Sequence, residues 1–256
     1  IKPVYVFDGK PPLEKTKTLR KREERKKEAE EKKKKALEKG DIDAAYRYSQ
    51  QSTRLTRDML PEVKELLEAL GIPCVDAPSE GEAQAAFMAE KGDVYASASQ
   101  DYDSLLFGAP RLIRNLAGAA RAAAEPGIYD LNAILNNLGI NREKLVILAV
   151  LVGTDFNPGG VKGIGPKKAL DLVKKYSGDE IFSRIEWEFD TEPDRIISIF
   201  LDPEITEDYE LNFGKIDRER VMEILCDRHD FSRERIEKTI DTVKKAVKQT
   251  SIFAWR

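Results

Sequence analysis

Apolar residues recur along this chain in two rhythms. Val4-Tyr5-Val6-Phe7 is a short apolar run ending at Asp8-Gly9, and it predicts a strand. Pro73-Cys74-Val75 and Val94 to Ala98 predict two more. Between the strands the period changes. Met59 to Leu70 places Leu60, Val63, Leu66, Leu67 and Leu70 at helical spacing, with Gly71 as the stop. Ser79 opens a helix of small residues that ends near Gly92. Strand–helix alternation of this kind predicts an α/β domain with a largely parallel sheet. From Leu131 onward the pattern is almost wholly helical. One segment breaks the rule. Leu13 to about Arg57 is helix-prone but nearly free of large apolar residues up to Ala36. A helix that is polar all round does not belong to a core.

Composition narrows the chemistry. The 256 residues carry 43 Lys+Arg against 46 Asp+Glu, a formal −3. Charged residues reach 35%, against roughly 25% in an average soluble domain, a bias seen in thermophile proteins. At 41% hydrophobic the chain can bury one large core or two small ones. No apolar run approaches the ~18 residues of a membrane span, and no secretory signal opens the chain. The expectation is an intracellular monomer that does not contact a membrane. There is one histidine, His229, and there are two cysteines, Cys74 and Cys226. That is too few for a four-ligand zinc site. His229 lies in a charged run and reads as a surface histidine near a helix end, so a nucleophilic triad is not expected. Any metal must then be a hard cation held by carboxylates, Mg²⁺ or Mn²⁺. The charge is also uneven: residues 14–35 hold 12 Lys/Arg against 6 Glu. Two readings stay open for that stretch. It is a solvated helix with pairs such as Glu28–Lys32 and Glu31–Lys35, or a basic arm for phosphates.

The acids share a placement. Asp8 follows the first strand, Glu80 and Glu82 open a helix, and Asp101 and Asp103 follow the strand ending near Ser99. Asp155 follows the apolar run Leu145 to Val152. Each has an ordinary alternative. Ser79 to Glu82 fits a capping box, Asp101 and Asp103 can cap the helix near Tyr102, and Asp8-Gly9 can be a turn. Ligands of open parallel sheets gather at the carboxyl ends of strands. Taken together, the six acids therefore predict a shared cation site, and two hard cations about 4 Å apart are the usual device for phosphodiester hydrolysis. A second motif, Gly159 to Ala169, separates two helical segments. Pro166 suits the first position of its second helix. Gly163 and Gly165 let the backbone approach a ligand, and Lys162, Lys167 and Lys168 add charge, which predicts a hairpin that grips duplex phosphates without reading sequence.

VYVFDGKPP, APSEGEAQAAFMAEKGDVYASASQDYDSLLFGAPR and LVGTDFNPGGVKGIGPKKAL closely resemble the flap endonucleases, the archaeal members more than the eukaryotic. The resemblance covers almost all of the chain and is weakest at 117–127 and 190–217. It implies a PIN-like α/β nuclease core, a helical arch, and a helix–two-turn–helix DNA-binding region. It also implies cleavage of 5′ flaps at the junction with duplex DNA, in replication and repair, with two Mg²⁺ ions for which Mn²⁺ can substitute. Carried over, the metal ligands are Asp8, Glu80, Glu82, Asp101, Asp103 and Asp155. The leading reading puts the attacking water near Asp101, Asp103 and Asp155 and the leaving oxygen near Asp8, Glu80 and Glu82, although the sequence does not decide which acid serves which cation. Lys15 and Arg22 match the arch residues that act at the scissile phosphate. The hairpin matches the duplex clamp, whose carbonyls can hold K⁺. Gln249, Ile252 and Trp255 match the sliding-clamp-binding tail, although Arg256 stands where a second aromatic is usual. The implied division is a core over 1–130 containing the arch at 13–57, a helical region over 131–245 with the hairpin at 142–176, and a tail over 246–256. The family also carries one more metal-binding aspartate on an upstream strand, and helices that stack on the junction, which this chain does not include. A polypeptide beginning at Ile1 is expected to cut weakly or not at all, and a non-catalytic junction-binding factor is the alternative. If the source is archaeal, the location is the cytoplasm, at the nucleoid. The alanine-rich stretch 117–124 is low in information; a surface loop is one reading of it, and no role is assigned.

Overall fold

The computed structural model describes residues 1–52, 57–116 and 125–249. Its first half runs β1 (Tyr5–Phe7), α1 (Thr16–Glu38), α2 (Ile42–Ser52), α3 (Leu60–Ala69), β2 (Cys74–Asp76), α4 (Gly81–Lys91), β3 (Ser97–Ala98), α5 (Asp103–Leu106), β4 (Arg111–Arg114) and β5 (Gly127–Asp130). Helices follow: α6 (Leu131–Leu138), α7 (Arg142–Val152), α8 (Pro166–Lys175), α9 (Gly178–Phe182), α10 (Pro193–Leu201), α11 (Arg218–Met222) and α12 (Arg233–Gln249). The alanine-rich stretch and the last seven residues of the tail lie outside the described residues. Among the described residues no helix is long and apolar enough to cross a membrane.

The chain builds two compact units from interleaved stretches. One comprises Ile1–Tyr5, Arg54–Val75 and Asp208–Arg256, and the other Val6–Thr53 and Asp76–Glu207. Their boundaries therefore cross the 1–130 and 131–245 blocks of the sequence. In the first unit the apolar face of α3 meets α11 and α12 around Ala69, Val221, Ile224, Ile236 and Ile240. A single π-helical turn, Glu223–Arg228, follows α11. Its Arg228 pairs with Glu65 at 3.0 Å and with Glu223 at 2.8 Å. His229 is exposed and pairs with Glu62 at 3.0 Å, the surface role expected of it.

The second unit carries the site. Its core is Val146 and Val150 of α7, Ile196 and Phe200 of α10, Ala83 and Ala86 of α4, and the side chains of Phe107 and Phe156. Small residues on α4 let it pack closely, which explains its weak amphipathic pattern. The strands form small sheets: β1 pairs with β2, and β3, β4 and β5 form a three-stranded sheet. β3 runs parallel to β4 with Ser97 opposite Leu112, while β5 is antiparallel with Tyr129 opposite Leu112. β3 is shorter than the predicted Val94 to Ala98. The N–H groups of Asp93 and Val94 both return to the Met88 carbonyl, at 3.0 and 3.3 Å, to close the end of α4. Those residues are therefore not free to enter a ladder.

The basic segment is a helical pair. α1 packs on α2 through Ala36, Ala44 and Ala45, beside Tyr48. Alanines at this seam let the highly charged α1 approach α2 without a wide apolar stripe. Along α1 the intrahelical ion pairs among the described residues are Arg20–Glu24 and Glu23–Lys27, both 3.3 Å. They are exposed, so each contributes only about 0.3–0.5 kcal/mol. The expected Glu28–Lys32 and Glu31–Lys35 pairs are not among them. Such surface pairs gain too little to fix two long side chains.

Candidate active site

The chain leaves β1 at Asp8 and turns at Gly9. A side chain there has no room, because a Cβ would lie 2.1 Å from the Ala77 carbonyl oxygen and 2.5 Å from that of Pro78. The Gly9 N–H donates to Ser79 O at 2.8 Å, which locks the exits of β1 and β2 together. Asp8 is thereby held at the start of α4, where its Oδ1 accepts from the Gly81 N–H at 2.8 Å. The predicted Ser79–Glu82 capping box does not form. Glu80 occupies the cap position without a side-chain capping bond, and Asp8, just after β1, satisfies the exposed N–H instead. A carboxylate at a helix N-terminus is favourable.

Release from capping frees Glu82 for the site. It accepts a hydrogen bond from the Ser99 hydroxyl, whose oxygen also accepts the Asp101 N–H at 3.0 Å. Ser99 thus links two of the acids. Asp101 and Asp103 do not cap α5 with their side chains, because Tyr102 stands at its cap position. Asp155 lies in the turn after α7, and its carbonyl accepts from the Thr18 hydroxyl of α1.

The start of α1 lies over these acids. Lys15 Nζ stands 2.6 Å from Glu80 Oε2 and 3.3 Å from Asp155 Oδ2. Arg22 donates through one Nη to both oxygens of Asp155, at 2.6 and 2.9 Å. Glu14, just before Lys15, is tied to Arg195 of α10 at 2.7 Å, and that guanidinium holds its carboxyl below the usual range. A cleft of about 330 Å³ opens beside Glu80, lined by Lys10, Glu14, Phe107, Arg195 and Ile199.

The electrostatics fit cation chemistry. Burial, opposed by the Ser99 bond and reinforced by Asp103 and Asp101, pushes Glu82 up to about 7. Burial, then repulsion from Asp155 and Asp101, pushes Asp103 up to about 6. Burial works against the Lys15 ammonium, but the Glu80 bond and the attraction of Glu80 and Asp155 outweigh it, so its pKa is raised. Among the described residues no three carboxylates stand together as a ready cation site. Positive charge is instead supplied to Glu80 and Asp155 by Lys15 and Arg22. The all-oxygen donor set, with two acids forced toward protonation, suits a hard divalent cation once those two basic groups yield.

The hairpin has the expected build. α7 ends at Gly153, and α8 begins with Pro166 after Gly165. Val161 and Ile164 anchor it in the core with Ala169 and Val173. A Cβ added at Gly163 (φ +78°) or at Gly165 would meet nothing within 4 Å, so the backbone at both faces open space. Lys162, Lys167 and Lys168 are exposed beside them. Lys168 Nζ donates to the Gly163 carbonyl at 3.3 Å. The side chain of Gln249, and Ile252 and Trp255 altogether, fall outside the described residues.

Sequence reasoning did not single out Ser99, Thr18, Asn157 or the Glu14–Arg195 pair. Their roles depend on partners distant in the chain, and only the closeness of Ser99 to Asp101 was visible beforehand.

Comparison with known proteins gives the family and the fold. Residues 1–29 match the XPG N-terminal domain and residues 71–155 the XPG I-region. The chain is 51% identical to Flap endonuclease 1 of Pyrococcus abyssi, over all of this chain and 77% of that protein. For Flap endonuclease 1 of Pyrococcus furiosus the identity is 49%, over all of this chain and 78% of the relative. The solved structure of flap endonuclease-1 from Methanococcus jannaschii superposes with a TM-score of 0.75 at 42% identity, covering 98% of this chain and 77% of that one. The catalytic core of Rad2 in complex with DNA substrate shares the fold, with a TM-score of 0.69 at 23% identity over 94% of this chain and 78% of that one.

Proposed function

The chain belongs to the flap endonuclease family, and from that premise we propose that it hydrolyses phosphodiesters at the base of 5′ DNA flaps with the acids of the second unit. The observation that carries this reading is the convergence of Lys15 and Arg22 on Glu80 and Asp155. Two basic groups from one helical segment meet carboxylates that lie far away in the sequence. Asp8, Glu80, Glu82, Asp101, Asp103 and Asp155 are the residues that would hold two divalent cations. When bound, Mg²⁺ or Mn²⁺ supplies an activated water and charge stabilisation at the leaving oxygen.

The chain's own groups do the rest. Lys15 and Arg22 exchange their carboxylate partners for the oxygens of the scissile phosphate and stabilise its growing negative charge. Asp8 stays fixed by the Gly81 N–H, which keeps its second oxygen free. Ser99 holds Glu82 and the Asp101 backbone in register. The pair α1–α2 serves as the arch within 13–57, and the hairpin within 142–176 grips the duplex through Lys162, Gly163, Gly165, Lys167 and Lys168. The carbonyls of that hairpin are the groups that would hold a K⁺ ion. The tail over 246–256 engages a sliding clamp through Gln249, Ile252 and Trp255.

A cleavage assay tests the reading. With Mg²⁺ and a 5′-flap substrate, the protein cuts near the junction, and Asp101→Asn abolishes cutting while retaining binding. Cutting without metal, or an unaffected variant, overturns the mechanism. Tight, salt-sensitive flap binding without cleavage would favour a non-catalytic junction factor instead. Removal of Gln249 to Arg256 abolishes clamp association and leaves basal cleavage intact; unchanged association refutes the tail's role.

A further inference from the structure

Asn157 is completely buried, and none of the chemistry above uses it. A buried amide is retained only if its hydrogen bonds are made, since an unmade one costs about 1–3 kcal/mol. This one makes three. Its Nδ2 donates to the Val150 carbonyl in the last turn of α7 at 2.6 Å. Its Oδ1 accepts from the Thr154 N–H at 3.1 Å and from the Thr154 hydroxyl at 2.7 Å. The Thr154 hydroxyl oxygen in turn accepts the Phe156 N–H at 3.2 Å. Asp155 therefore sits between two residues that are both tied to this network.

The same residue reaches the hairpin. The Gly160 N–H donates to the Asn157 carbonyl at 3.1 Å, and the Asn157 N–H donates to Thr154 O at 3.2 Å. The turn closes so tightly that a Cβ on Gly153 would lie 2.6 Å from Gly160 N. The end of α7, the Asp155 turn and the first residues of the hairpin are thus joined through one residue, the first two by its side chain and the hairpin by its main-chain carbonyl.

We infer that Asn157 is a positioning residue for Asp155: its amide sets the Thr154–Phe156 backbone, and through it the direction of the Asp155 carboxylate. This rests on the proposed reading of Asp155 as a cation ligand. Residues that orient a ligand in this way typically change metal affinity or activity by about 10–100-fold when altered.

The test uses Asn157→Ala, Thr154→Val and Thr154→Ser, with Mn²⁺ affinity by titration calorimetry, flap turnover, and urea unfolding. Asn157→Ala and Thr154→Val each lower Mn²⁺ affinity and kcat by about 10–100-fold with KM for flap DNA unchanged. Thr154→Ser keeps the hydroxyl and restores both. In the Asp155→Asn background, Thr154→Val lowers Mn²⁺ affinity no further. If Asn157→Ala does not fold, the two Thr154 variants carry the test alone. The inference is overturned if Thr154→Val leaves Mn²⁺ affinity unchanged, if Thr154→Ser is as impaired as Thr154→Val, or if the loss persists in full on top of Asp155→Asn. An Asp155→Asn protein with unchanged Mn²⁺ affinity and turnover defeats the reading of the site itself, a result distinct from those three.

Discussion

Replacing Glu82 by Gln in the metal-free protein should stabilise it at alkaline pH. In the folded chain the Glu82 carboxyl is raised from 4.5 to about 7, chiefly by burial, with Asp103 and Asp101 adding repulsion. A carboxyl with a raised folded pKa binds its proton more tightly in the native state than in the unfolded one. Its contribution is therefore fully present below pH 4.5, and it is lost as pH climbs to about 7. At about 1.4 kcal/mol per pH unit, the loss is roughly 3 kcal/mol. For a chain of this size that corresponds to roughly 6–12 °C in melting temperature. Glutamine has no proton to lose, and its side-chain oxygen can still accept from the Ser99 hydroxyl. In EDTA, melting curves should coincide near pH 4 and diverge by pH 8, with Glu82→Gln the more stable. Asp103→Asn should act in the same direction between pH 3.8 and about 6. The double variant should gain less than the two singles together, because neutralising either acid already relieves the other. Saturating Mg²⁺ should remove the alkaline loss in the parent, and should stabilise Glu82→Gln less, because one anionic ligand is gone. A variant that falls with pH as steeply as the parent, or is less stable at pH 8, would refute the reasoning.

Other outcomes follow from single contacts. Lys15→Met should reduce kcat on flap DNA by about 10²–10³-fold, the usual cost of one donor to a developing charge, and should raise Mn²⁺ affinity, because Glu80 and Asp155 lose a competing ammonium; calorimetry and single-turnover cleavage check the two. Lys167→Ala with Lys168→Ala should weaken duplex binding uniformly and flatten the salt dependence, by about 0.9 in the log–log slope for each phosphate contact removed. Gly160→Ala should destabilise by at least about 1–2 kcal/mol from the left-handed backbone alone. The cost should be larger still because its Cβ would meet the Val152 carbonyl carbon at 2.2 Å, and urea unfolding measures it.

The helices and the acids were legible in the sequence for a local reason. α3, α7 and α8 each present an apolar face within a few residues, and Pro166 and Gly71 mark their ends. The placement of acids after strands was visible because strand ends are punctuated by small and polar residues. What was not legible depends on contacts between distant segments. Ser79 to Glu82 reads locally as a capping box, yet Asp8 takes the helix N–H and leaves Glu82 to Ser99. Val94 reads as strand, but its N–H closes the end of α4. The seam of Ala36, Ala44 and Ala45 is invisible in a pattern search that counts large residues, so α1 read as a lone polar helix. Asn157 looks like an ordinary turn residue until its three bonds are known. Lys15 and Arg22 could be picked from the basic run only through the family resemblance, because twelve basic residues there look alike by charge.

In the proposed mechanism Asp8, Glu80, Glu82, Asp101, Asp103 and Asp155 hold the divalent cations. Crystals of the full chain with a 5′-flap DNA and Mn²⁺, measured for anomalous scattering, test it most directly. Two Mn²⁺ peaks about 4 Å apart, ringed by these carboxylates, with Lys15 and Arg22 turned to the phosphate, are the expected result. Anomalous peaks elsewhere, or Lys15 still bonded to Glu80 with no peak among the acids, would contradict it.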